Sequence, residues 1–192
     1  SMGEHVPGGG AAYATVCADG EPRLAHKMVT HNWGNKFAHL LAAVFADCLG
    51  HRTYEHVLLF LAKPGGLEEL RRKLQPKAHK NYWICAFSVN QHAGICATPP
   101  PKDSHGEPLQ PCMCGVEKHS TGDLCEMNKF DAMMAHLQMI SPAFSQVIAV
   151  DSHFVIFSRI WCIAELLEAR RSRLPQALGI HSDEHINQHR HE

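Results

Sequence analysis

The chain has 192 residues, 45% of them hydrophobic and 19% charged, which suits one packed domain and excludes a disordered or collagen-like chain. Eighteen Lys and Arg against 19 Asp and Glu leave a formal charge of -1, so no basic field draws in nucleic acid or an anionic membrane surface. No apolar run reaches the ~20 residues of a spanning helix, and residues 1–15 lack the charged start and apolar stretch of a signal peptide; a soluble, cytoplasmic protein is expected.

Ser1-Met2-Gly3 reads as a vector-derived scar, and together with Gly8-Gly9-Gly10 it sets residues 1–10 outside the fold as a flexible segment. Lys27–His31 reads as a short strand. Phe37, Leu40, Leu41, Val44 and Cys48 then fall on one stripe of an amphipathic helix that Gly50 ends. Helical pieces are expected over Tyr54–Ala62 and Leu67–Leu74, the second stopped by Pro76. Tyr82–Phe87 is a continuous apolar run, as a strand buried on both faces requires.

Residues 92–125 form a long insertion rich in Pro, Gly, Cys and His. Asp123 and Glu126 then make a start resembling a capping box, for a helix carrying Phe130, Met133, Met134 and Leu137. Gln146–Val150 is a second buried-type strand ending at Asp151. Ser158 is placed to cap a helix from Arg159 to about Arg170, with Ile160, Ile163, Ala164 and Leu167 as its core face. Gln176–His181 is a last strand, and residues 183–192 read as a flexible tail whose histidines, with His181, are solvated.

Strands alternating with helices imply parallel pairing through right-handed crossovers, hence a three-layer α/β sheet over residues 11–182. Ligands of such sheets bind beyond the carboxyl ends of the strands. Those positions are His31, Asn32 and Trp33, then Asn90 and its neighbours, then Asp151 and Ser152.

Of eight cysteines, four lie singly in apolar segments and Cys96, Cys112, Cys114 and Cys125 cluster in the insertion. Four thiolates suit tetrahedral structural zinc, and Cys112-Met113-Cys114-Gly115 supplies a compact knuckle. His92, His105 or His119 could replace one sulfur, and a loop with unpaired thiols is the simpler alternative. A metal clip gives a loop too poor in apolar residues for its own core a reason to be ordered.

Trp161 and Glu165 stand four apart, so indole and carboxylate share one helical stripe. Spacing alone leaves a solvated glutamate beside a packing tryptophan as the simpler reading. With His31-Asn32-Trp33 after the first strand, Asn90-Gln91-His92 after the second and Trp161-Cys162-Ile163-Ala164-Glu165 in a later helix, the chain resembles divergent protist and bacterial members of the TIR (Toll/interleukin-1 receptor homology) superfamily. The similarity covers residues 27–182.

The resemblance implies a flavodoxin-like parallel sheet with the Cys-rich insertion after its second strand. It further implies NAD as substrate, cleaved at the nicotinamide-ribose bond by hydrolysis or cyclisation. Glu165 matches the required glutamate, Trp161 the pocket-side aromatic and Ser158 the hydroxyl before it, while His31, Trp33, Asn90 and Asp151 would line the cleft. Self-association or pairing with other TIR-like domains is implied too. The alternative is a non-catalytic signalling module whose zinc loop is the contact surface.

Overall fold

The computed structural model describes residues 10–96, 102–103, 106–119, 122–123, 125 and 130–189. The chain groups into two compact units, one of residues 1–23 with 84–133 and one of residues 24–83 with 134–192.

The second unit carries a four-stranded parallel sheet in the order β2-β1-β3-β4, formed by Tyr82–Ile84, Lys27–His31, Ser145–Ala149 and Gln176–Gly179. Val29 lies opposite Val147, and Ile148 opposite Leu178. From β1 the chain leaves toward β2 and from β3 toward β4. The connections therefore leave the two central strands in opposite directions, and the strand order reverses between β1 and β3, the place where open α/β sheets hold their ligands.

Following β1, α2 (Phe37–Leu49) buries Leu40, Ala42, Ala43, Val44, Ala46 and Cys48, and Gly50 ends it with a φ of 87°. The alanines let the helix come close: Ala43 lies under Gly179 of β4, where an added Cβ would sit 3.5 Å from it. Two short helices, α3 (Glu55–Ala62) and α4 (Gly66–Leu74), follow as the sequence predicts, and Pro76 sits in a 3-10 turn after the second. α8 (Ile160–Arg171) contacts β1, and its Cys162 joins Ile148, Val150, Ile156 and Ile180 in one buried cluster.

Several readings differ from expectation. The expected strand Tyr82–Phe87 stops at Ile84, because Cys85–Ser88 coils into a helical turn in which Ser88 Oγ accepts the Ile84 N–H. Ser158 does not cap α8: its hydroxyl donates to the Val155 carbonyl at 2.8 Å, and Arg159 holds the cap position without a side-chain bond. The buried stripe of α8 is Cys162, Leu166 and Ala169, while Ile160 and Leu167 stand 79% and 61% exposed. The fully buried residues of the helix are the small Cys162 and Ala169.

After β4, Ser182 caps one more helix, α9 (Asp183–Gln188), in the stretch expected to be a flexible tail. His185 stacks on Phe154 and bonds through Nε2 to the Ser152 carbonyl, so this histidine is packed rather than solvated. His191 and the remainder of the tail lie outside the described residues. Among the described residues no helix is long and apolar enough to cross a membrane.

The first unit begins with α1 (Tyr13–Cys17), whose Tyr13 ring packs on Phe87 of α5 (Cys85–Ser88). Asn90 caps a single turn, α6 (Gln91–Gly94), by accepting the His92 N–H. An antiparallel bridge pairs Lys102 with Pro108 inside the insertion. α7 (Phe130–Ile140) passes from this unit into the second, where its Met134 and Leu137 are buried, as its periodicity predicts; Glu126, half of the expected capping box, lies outside the described residues.

Candidate functional site

Three polar residues interrupt apolar strands on one sheet face. Thr30 of β1 and Gln146 of β3 are fully buried, and Gln176 lies in register beside Gln146 at the start of β4. A strand alternates its side chains, so all three point toward the helix layer that holds α8. There they meet Glu165, whose position between Cys162 and Ala169 turns its carboxyl inward. Thr30 Oγ1 donates to Glu165 Oε2 at 2.5 Å, Gln146 Nε2 to Thr30 Oγ1 at 2.7 Å, and Gln176 Nε2 to Gln146 Oε1 at 2.7 Å.

Burial disfavours the charged carboxylate and lifts Glu165 to about 7, against the pull of the Thr30 hydroxyl in the other direction. A carboxyl so placed is half ionised near neutrality, an attribute common at reaction centres. Thr30 sits one residue from the end of β1, so the acid bonded to it lies between α8 and the sheet, near the carboxyl ends of the central strands, and not on the outer flank of α8.

The predicted rim residues take different parts. His31 is buried, with its imidazole held below the usual histidine range by desolvation, and its backbone carbonyl accepts the Cys162 thiol at 3.4 Å. Its ring stacks parallel to Trp33, with centroids 6.3 Å apart, and Trp33 is 45% exposed. Asp151 is buried and accepts the backbone N–H groups of His153, Val155 and Ile156 at 2.9–3.1 Å, with the Asn32 amide at 3.5 Å. It shapes the loop after β3 by gathering those donors. Trp161 is 43% exposed, one helical turn before Glu165. Asn90 belongs to the first unit, where its amide also donates to the Gly10 carbonyl.

Sequence reasoning missed Thr30 and Gln146. The signal was present: each is an uncharged polar residue inside a run otherwise suited to full burial, where it needs a partner. A groove of about 1240 Å³ also runs along Val44, Cys48, Leu67, Leu70 and Tyr82, and none of the predicted site residues lines it.

In the first unit, His92, Cys96, Cys112 and Cys114 place one ligand atom each within 4.8 Å of all the others. α6 carries His92 and its continuation Cys96, and Gly115 takes a φ of 68° to turn the Cys112–Cys114 knuckle back. Cys96 Sγ lies 3.6 Å from Cys114 Sγ, and Cys112 Sγ 3.5 Å from His92 Nδ1. Tetrahedral zinc with Zn–S about 2.3 Å and Zn–N about 2.05 Å needs S···S near about 3.8 Å and S···N near about 3.5 Å. The residues fit a metal ion.

Of the four cysteines expected to ligate, Cys125 is not in this group; it is buried elsewhere, and His92 takes the fourth place. His105 lies outside the described residues, and His119 gives its backbone N–H to Ala93. The Val116 backbone N–H, followed by His92, draws the Cys114 thiol down to about 6, and Lys118 Nζ stands 3.4 Å from the same sulfur. A thiolate is thus available as a ligand near neutral pH.

Compared with known proteins, the chain matches no protein-family model, no curated protein and no solved structure.

Proposed function

We propose that this chain is a TIR-type NAD glycohydrolase or cyclase with Glu165 as its catalytic carboxylate. The observation that carries the reading is the placement of Glu165: an inward-facing acid under the carboxyl end of a central strand, where the strand order reverses. The order β2-β1-β3-β4, with α2 against β4 and α8 against β1, supports a flavodoxin-like three-layer arrangement with the Cys-rich segment inserted after the second strand.

The chemistry follows from charge. In NAD the nicotinamide nitrogen is cationic, and breaking its bond to C1′ of ribose returns the electron pair to the leaving ring, which departs neutral. The ribose becomes an oxocarbenium ion, and an ionised Glu165 stabilises that charge. Water then adds at C1′ and loses a proton, or a nucleophile within the same nucleotide closes a ring. Trp33 and Trp161 supply aromatic surface for the flat rings. The Cys114 group with His92, Cys96 and Cys112 would hold zinc, which saturates its ligands and orders the insertion; no step of the cleavage uses it.

The experiment is nicotinamide release from NAD, followed by proton NMR at high protein concentration. Release by wild type and at least a ~100-fold loss in Glu165→Gln with unchanged circular dichroism supports the enzyme. The exposed Ile160 and Leu167 on the outer face of α8 favour a second reading, a non-catalytic signalling module that pairs with a like domain. An inert concentrated wild type decides for it.

A further inference from the structure

The hydrogen bonds that end on Glu165 have a defined polarity. Gln176 Nε2 also donates to the backbone carbonyl of Leu166, at 3.3 Å. A carbonyl can only accept, so the atom of Gln176 facing it is the amide nitrogen, and the atom of Gln146 facing that nitrogen is Oε1. Gln146 Nε2 must then face Thr30, whose oxygen accepts it at 2.7 Å. The one proton of that hydroxyl is left for Glu165. The chain of bonds starts at the Leu166 carbonyl and returns to the same helix one residue earlier, so α8 sets the direction of the proton offered to its own carboxyl.

We infer that Thr30 and Gln146 are positioning residues for Glu165: Gln146 commits the Thr30 hydroxyl to donating into Oε2, which favours the ionised carboxylate and fixes its orientation. The inference rests on the proposed NAD cleavage for its catalytic meaning, and on the buried hydrogen bonds alone for its physical content. The titratable groups around the acid are few. On α8 they are Cys162, whose thiol burial and Glu165 push up to about 11, and Arg159 at the start of the helix. His31 follows Thr30 on β1, and Asp151 follows the end of β3. Facing Glu165, β3 and β4 contribute the neutral Gln146 and Gln176. No nearby lysine or arginine is paired with the carboxyl among the described residues, so the hydroxyl is the group that offsets its desolvation.

The test measures unfolding free energy against pH for each background with and without Glu165→Gln; the difference titrates at the midpoint of Glu165 itself. Thr30→Val is expected to move that midpoint up by about one pH unit, Gln146→Leu in the same direction, and Thr30→Ser to leave it in place. Difference curves for Thr30→Val and Gln146→Leu that coincide with wild type overturn the inference. Should Thr30→Val not fold, Gln176→Leu at an exposed position replaces it, with a rise expected and no rise overturning the defined polarity. In parallel, the pH profile of nicotinamide release should shift with the midpoint. A wild type that releases none overturns the catalytic meaning, whatever the difference curves show.

Discussion

The Cys112 sulfur lies 3.5 Å from Nδ1 of His92, the separation expected of two ligands sharing one tetrahedral ion. Zinc content near one per chain is expected by elemental analysis of protein purified without chelator. His92→Ala and Cys112→Ser should each lose the metal, and Cys125→Ala should keep it. Retention by His92→Ala with loss in Cys125→Ala would restore the all-cysteine set.

Gly10 controls the same site from the start of the chain. Its φ is 65°, and a Cβ there would stand 2.3 Å from Cδ2 of His92. Gly10→Ala must displace the imidazole or leave the left-handed region, so metal affinity should fall by about 10-fold, as for other losses of ligand support. Competition with a chromophoric chelator measures it, and unchanged affinity would mean that His92 is not a ligand.

Glu165 should make the fold less stable as pH rises. Its carboxyl titrates about 7 in the folded chain against an ordinary 4.5. The folded state keeps a proton that the unfolded chain has released, so the stabilising contribution is complete below the lower value and is lost as pH climbs through the upper one. Glu165→Gln removes that loss. Urea titrations should show the variant more stable than wild type by up to about 3 kcal/mol at pH above ~8, and nearly equal at pH below ~4.5. Parallel pH dependences would identify Glu165 as an ordinary solvated carboxylate.

Asp151 is expected to act on the fold before any chemistry. Three backbone N–H groups of the loop after β3 converge on its buried carboxylate. Asp151→Ala leaves those donors unpaired, and chemical denaturation should register a loss of about 3 kcal/mol. A loss below about 0.5 kcal/mol would show that the loop holds its shape without it.

How far the sequence was legible depended on whether local periodicity or distant partners decided the structure. β1 and α2 were readable because an apolar run or stripe and a terminating glycine act within a few residues. Tyr82–Phe87 was half readable: its hydrophobicity suits a strand, but Ser88 Oγ and the Gln91 amide bond backbone groups at its end and favour a turn. The face of α8 was misread because the spacing of Ile160, Ile163, Ala164 and Leu167 marks one apolar stripe, whereas in the fold Cys162 and Ala169 are buried and Ile160 and Leu167 are exposed. Glu165 was legible as an isolated acid by resemblance. Its actual environment depends on Thr30 and Gln146, which lie on two strands more than a hundred residues apart and come together only in the sheet. In the metal group, Cys112 and Cys114 were legible from their spacing, but His92 replaced Cys125 because α6 carries it toward Cys96.

The clasp between His185 and the Ser152 carbonyl ties α9 to the turn that Asp151 organises. The helix is thereby a brace for the loop that follows β3. A shortened version ending before Ser182 would leave the loop after β3 without that outer support.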